Sequence, residues 1–297
     1  MPIVVKSELY GRTTYSEGMW EIMPLSAKVH YDEITDAWRD FMGEHFHFGY
    51  FETEDTDLQT AVDALADKML GLSKVTRNTR IIDVGCGIGG PAFYIYDKFK
   101  CSIDGISTSE RGIELANQAS KERGCDSKVK FYVADGQKNG MKAESYDIAW
   151  VMESSHMMPN KKALFQECKR VLKQDGTLLL CDLMMLVPFR QQLAHGIRHL
   201  RGYRDNMKTF GFAQLIPMGM YAKLLVEAGF TKLQFIDVSK QATPTGKVWA
   251  ENARKFRGAK GKSFTDEDVD LFVRACEAMH SWFEEGVVGY GIIKAMK

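Results

Sequence analysis

Arg80-Ile-Ile-Asp-Val-Gly-Cys-Gly-Ile-Gly-Gly90 is the stretch from which the rest of the chain can be read. Ile81, Ile82 and Val84 are apolar and β-branched, as a strand buried on both faces requires. Gly85, Gly87 and Gly90 then take a G-x-G-x-x-G spacing, which permits a tight turn and close approach of a ligand to the main chain. Pro91 follows, suited to the first turn of a helix running to Phe99. Strand, glycine turn and helix together predict a nucleotide-type cofactor site in a doubly wound α/β sheet. Glycines alone do not choose the cofactor, since several use this turn. Asp83, two residues before the first glycine, narrows the choice. A carboxylate at the strand's end can accept a bond from an ammonium group or fix the amides of the loop.

Further strands and helices alternate on either side. Ser102–Ile106, Val129–Val133, Tyr146–Met152 and Thr177–Asp182 read as strands. Helices are expected from a Ser107/Glu110 capping box to about Arg123, and from Lys161 to Leu172, closed by a Gln174-Asp175-Gly176 turn. Such alternation implies a mostly parallel sheet with right-handed crossovers. Residues 183–216, rich in Met, Phe and Arg, interrupt the rhythm and read as an inserted helical cap. Helix Met218–Ala228, strand Thr231–Asp237, helices near 244–256 and 266–285 and an antiparallel strand near Gly289–Ala295 follow. Upstream, Asp32–Met42 and Asp57–Leu70 have amphipathic spacing around the aromatic loop 44–51. The expected organisation is an N-terminal helical lid over 1–75 and a cofactor-binding catalytic domain over 76–297.

Bulk properties exclude several functions. The 297 residues are 45% hydrophobic and 26% charged, and Lys+Arg equals Asp+Glu at 39 each. That balance opposes a general nucleic-acid binder, which needs a basic excess. Six cysteines are scattered without a C-x-x-C pair, so a reducing, cytoplasmic setting is expected. No run of about eighteen apolar residues suggests a membrane span. His45 and His47 lack a third ligand at a suitable spacing, so no metal is expected.

In this order the motifs resemble class I S-adenosylmethionine (SAM) methyltransferases acting on small molecules. The nearest group contains tocopherol and sterol C-methyltransferases and rebeccamycin-type sugar O-methyltransferases. The resemblance rests on Asp83–Gly90, Val133-Ala-Asp-Gly136, Trp150–Pro159, Arg170–Thr177 and the upstream His45-Phe-His-Phe-Gly-Tyr50, and it runs from about Tyr31 onward. It implies a Rossmann-like sheet of seven mostly parallel strands. SAM is the implied cofactor, with Asp83, Gly85, Gly87 and Gly90 at its methionine part, Asp135 and Gly136 at its adenine, and Glu153 close by. One departure stands out: relatives carry Asp or Glu for the ribose at the end of the second strand, where this chain has Ser107, whose hydroxyl can still bond the cofactor or serve only as a helix cap. The same missing acid disfavours a nicotinamide oxidoreductase, the minor alternative.

Methyl transfer to a hydroxyl requires removal of a proton, and a histidine suits that task. His156 follows the fourth strand, near Glu153, and Asp182 ends the neighbouring fifth strand. The expected pair is His156 as base and Asp182 as its orienter, the roles the resemblance gives the matching residues. C-methylation of an isoprenoid, sterol or quinone-like acceptor, with Glu153 as the active carboxylate, is the alternative, and a non-catalytic SAM-binding protein is a further one. Met184, Met185, Phe189, Met207, Phe210, Phe212, Met218 and Met220 offer an apolar pocket, although most are expected to be core. Arg190, Arg198, Arg201, Arg204 and Lys208 offer an anion site or a solvated helix face. A small-molecule substrate is expected; its identity and any homo-oligomer stay open.

Overall fold

A computed structural model describes residues 5–6, 13–14, 41–42, 46–53, 55–260, 262 and 264–297. The expected helix at 32–42 therefore lies outside the described residues except for Phe41 and Met42, and so does His45. A two-residue pair, β1 (Val5–Lys6) with β2 (Thr13–Thr14), precedes the main body. Helix α1 (Leu58–Leu70) begins at Asp57, whose side chain accepts from the Thr60 N–H and so caps the first turn. The doubly wound half then runs β3 (Arg80–Val84), α2 (Gly90–Phe99), β4 (Ser102–Ser107), α3 (Glu110–Glu122), β5 (Val129–Val133), β6 (Tyr146–Met152), a short 3₁₀ turn at Ser155–Met157, and α4 (Lys161–Val171). The remainder comprises β7 (Leu172–Met185), α5 (Phe189–Arg198), α6 (Leu200–Phe210), α7 (Met218–Glu227), β8 (Thr231–Asp237), α8 (Ser239–Ala242), α9 (Pro244–Arg254), α10 (Asp266–Glu284) and β9 (Val288–Met296).

The main sheet has seven strands in the order β5-β4-β3-β6-β7-β9-β8. Strands β3 to β7 are parallel, and β9 is antiparallel to both its neighbours. Chain order reverses between β3 and β6, the switch point where such sheets bind ligands. Alternate residues feed the two faces. Ile81, Ile148 and Trp150 enter one core with α1, α9 and α10, while Ile82, Val84, Ala149 and Val151 enter the other with α4 and α7. Burial on both sides is why these strands read as nearly continuous apolar runs.

Three local expectations are corrected. β7 does not stop at Asp182 but continues to Met185, because β9 pairs with it from Thr177↔Met296 to Met185↔Val288. The expected turn at Gln174–Gly176 falls inside this strand, next to a register irregularity against β6, with Asp175 at φ 62°. The capping serine of α3 is Ser109, whose Oγ accepts from Gly112 N at 2.9 Å. Ser107 is still in β4, paired with Val133, so the helix starts later than the Ser107/Glu110 spacing suggests. Among the described residues no helix is long and apolar enough to cross a membrane.

Candidate active site

The turn between β3 and α2 floors a cavity of about 530 Å³ at the carboxyl ends of β3, β4, β5 and β6. Gly85 and Gly87 take φ of 87° and 54°, the left-handed region that glycine enters at least cost. Their surroundings differ. A Cβ on Gly85 would run into Ser154, whereas a Cβ on Gly87 would meet nothing within 4 Å. Gly85 thus lets two strand ends pack, and Gly87 leaves main chain bare beside the cavity. Gly90 opens α2 on the same wall. Gly136 lies across from them, where a Cβ would come within 2.7 Å of Val84 Cγ1.

The other predicted residues are distributed unevenly around this space. Ser107 lines it, with its Oγ accepting from Ser109 N at 3.2 Å. Asp135 sits on the exposed rim, where its Oδ1 accepts from Gln137 N at 2.8 Å. Asp83 is not on the wall. It is only 2% exposed, and its Oδ2 finds no hydrogen-bond partner among the described residues. Burial pushes its carboxyl up to about 7.

Glu153 faces the cavity from just beyond β6, in a left-handed conformation with φ 48°. Its Oε1 accepts from the Phe48 N–H at 2.7 Å and from the Tyr290 hydroxyl at 2.5 Å. Burial nevertheless raises its carboxyl to about 8, outweighing both bonds, and the nearby Asp182 charge adds to the rise. Phe46 and His47 lie over the same space. Their loop is stitched down by Gly49 N to Thr245 Oγ1 at 3.1 Å, Tyr50 N to Ala61 O at 2.7 Å and Phe51 N to Gln241 O at 3.0 Å.

His156 and Asp182 form a second, drier arrangement. Asp182 is fully buried, and its Oδ1 lies 2.6 Å from His156 Nδ1. The same carboxylate accepts from Leu183 N at 2.8 Å, His156 N at 2.9 Å and the Ser155 hydroxyl. Ser155 Oγ is in turn 2.8 Å from the Tyr221 hydroxyl. Burial alone would raise Asp182, but the His156 charge and the hydrogen bonds win and hold it below its ordinary value. An ionised carboxylate only accepts, so Nδ1 carries the hydrogen and Nε2 keeps its lone pair while the ring is neutral. Among the described residues the ring's one hydrogen bond is made by Nδ1. The imidazole is 10% exposed and His156 does not itself line the cavity, although Ser154, Met157 and Gln214 do, and the His156 carbonyl accepts from Gln214 N at 2.8 Å. The structure therefore unites His156 with Asp182 and gives Glu153 separate partners.

Sequence reasoning did not find Tyr290, Thr245, Ser155, Tyr221 or Gln214. Ser155 alone carried a local signal, standing next to His156. Of the eight apolar cap candidates, Phe212 is the one on the cavity wall, and Met184 and Met185 are core. None of Arg190, Arg198, Arg201, Arg204 and Lys208 lines the cavity; Arg201 and Arg204 approach Asp205 at 3.8 Å instead.

The seven-stranded order with one antiparallel strand, the glycine turn at the switch point and the acids beyond β5 and β6 define a class I methyltransferase architecture. Residues 82–180 match the methyltransferase domain family. The 27-O-demethylrifamycin SV methyltransferase of Amycolatopsis mediterranei is 28% identical, over 90% of this chain and 95% of that one. The chloroplastic tocopherol O-methyltransferase of Arabidopsis thaliana is 24% identical, over 90% of this chain and 80% of its own. The cyclopropane synthase MmaA2 of Mycobacterium tuberculosis superposes with a TM-score of 0.81 at 19% identity, covering 93% of this chain and all of that one. The chain is an S-adenosylmethionine-dependent methyltransferase. Its cavity fits that cofactor: the bare main chain at Gly87 offers close approach, and Asp135 and Glu153 put two carboxyl groups on the wall.

Proposed function

We propose that this enzyme methylates a hydroxyl group of a small, largely apolar metabolite, with His156 as the base and Asp182 as the residue that orients it. The observation that carries this reading is the 2.6 Å contact between His156 Nδ1 and a carboxylate holding three further donors. That contact fixes the ring and its tautomer and aims the basic nitrogen away from Asp182. Bound S-adenosylmethionine supplies an electrophilic methyl group. Gly85, Gly87 and Gly90 would border its methionine part, with Asp83 beneath them. Ser107 would hold the ribose, Asp135 and Gly136 the adenine, and Glu153 would lie on the side of the reacting end. His156 Nε2 would take the proton of the acceptor hydroxyl, acid–base assistance of a kind that contributes about 10²–10⁴-fold.

Phe46, His47 and Phe48 exclude water from above, and residues 183–216 cap the acceptor side. A metabolite that is mostly apolar suits this cover, and no nucleic acid is needed as partner. All six cysteines are unpaired and buried, which supports a reducing, cytoplasmic setting.

C-methylation is the second reading, favoured by a wall carboxylate at Glu153 whose affinity for a proton is raised by burial. Relatives of both chemistries occur, including a sterol 24-C-methyltransferase. Incubation with isotope-labelled S-adenosylmethionine and metabolite extracts, with mass spectrometry of the products, tests the two together. His156→Gln should abolish labelling at oxygen while binding of S-adenosylhomocysteine persists. Labelling at carbon that survives His156→Gln and is lost in Glu153→Gln would establish the second reading instead.

A further inference from the structure

The last turn of α5 sets His195 and His199 one helical turn apart, beside Glu285 at the end of α10. Their rings stack with centroids 4.3 Å apart at 21°. One donor atom from each of the three residues lies within 4.8 Å of the others, and His195 Nε2 is 3.0 Å from Glu285 Oε2. None of the three lines the active-site cavity.

We propose that His195, His199 and Glu285 bind one divalent transition-metal ion of zinc type, which clamps the α5–α6 junction to α10. The surroundings are those of a supported ligand set. His195 is 2% exposed, and its Nδ1 lies 3.1 Å from the Tyr203 hydroxyl. Tyr203 is itself stacked on Trp282, with centroids 4.2 Å apart. Ser281 Oγ donates to Glu285 Oε1 at 2.7 Å, which leaves Oε2 turned toward the imidazoles. Outer partners on the second nitrogen of a histidine and on the second oxygen of a carboxylate are what metal ligands usually have.

Two imidazoles and one carboxylate favour zinc-like ions over magnesium or calcium, which prefer oxygen alone. Zinc bonds of about 2.0–2.1 Å place tetrahedral donors roughly 3.4 Å apart. Closing from 4.8 Å to that distance needs a shift of at most about 1.4 Å, within the reach of the exposed His199 and Glu285 side chains. Water completes the coordination on the open side. Any proton on His195 Nε2 leaves to solvent as the metal–nitrogen bond forms.

The test uses the full chain after treatment with EDTA. Calorimetric titration with ZnCl₂ should show one equivalent bound at micromolar concentration or tighter, and millimolar MgCl₂ should show none. His199→Ala and Glu285→Gln should each weaken zinc binding at least tenfold, and His280→Ala, which alters a different His–Glu pair, should not. Zinc should also raise the melting temperature of the wild type but not of His199→Ala, a surface change compatible with folding. The proposal fails if the wild type binds no zinc in this range, or if His199→Ala and Glu285→Gln bind it as the wild type does. Neither readout depends on methyl transfer.

Discussion

The Phe48 amide donates to Glu153 Oε1 at 2.7 Å across 105 residues of sequence, tying the aromatic loop to the end of β6. Tyr290 donates to the same oxygen from β9. Three separate parts of the chain therefore meet on one carboxyl oxygen. Tyr290→Phe removes one of its two donors, so the Glu153 carboxyl should titrate still higher than about 8. Carbon-13 NMR of labelled glutamate, recorded against pH, reads this; an unchanged or lower midpoint would show that Tyr290 does not stabilise the anion.

Glu153 should also shape the dependence of stability on pH. Its carboxyl is raised from 4.5 to about 8 in the folded protein. Between those values the native state keeps a proton that the unfolded chain has lost, so stability declines as pH rises through the window. Asp83 adds to the decline between 3.8 and about 7. Urea midpoints from pH 5 to 9 should fall for the wild type and fall less steeply for Glu153→Gln, the two slopes differing until the pH passes about 8. Parallel slopes would disprove the assignment.

Asp182 works in the opposite direction. Its folded value is lowered, so its contribution is fully present above the ordinary value of 3.8 and is lost as pH falls through the lowered one. Asp182→Asn should flatten the acid limb of the stability curve. It should also cut turnover by about 10²–10⁴-fold, by misplacing the proton on His156. Denaturation curves from pH 2 to 6 check the first effect and single-turnover rates the second.

Gly85 and Gly87 should separate folding from ligand binding. Alanine at 85 runs into Ser154 at a positive φ and should destabilise the fold by about 1–3 kcal/mol. Alanine at 87 has open space and meets only conformational strain, about 1 kcal/mol, but places a methyl group beside the cavity. Melting temperature should fall more for Gly85→Ala. Affinity for S-adenosylhomocysteine should fall at least tenfold for Gly87→Ala, and near-wild-type binding there would mean that the ligand does not lie against Gly87.

What was legible in the sequence was mostly local. Strand β3, its glycine turn and the alternation through β6 follow from residue type and spacing within short windows. The pairing of His156 with Asp182 was legible too, because neighbouring parallel strands bring their carboxyl ends together. Errors arose where a distant partner decides. β7 outruns its expected end because β9 lies alongside it. Ser107 resembles a helix cap only until β5 keeps its residue in the sheet. Tyr290 and Thr245 reach the site through tertiary packing, which leaves no periodic trace near the glycine turn. The third member of the His195 cluster, Glu285, comes from 90 residues further along, so no spacing rule could have joined it to the pair.

The placement of β9 between β7 and β8 also bears on how the enzyme is made. Residues 288–296 must leave the ribosome before β7 gains its second neighbour and before the phenol of Tyr290 can reach Glu153. A nascent chain halted short of Val288 would leave a long, sticky strand margin along β7 uncovered. Such a species would be a natural client for chaperones, and completion of the pocket would coincide with its release.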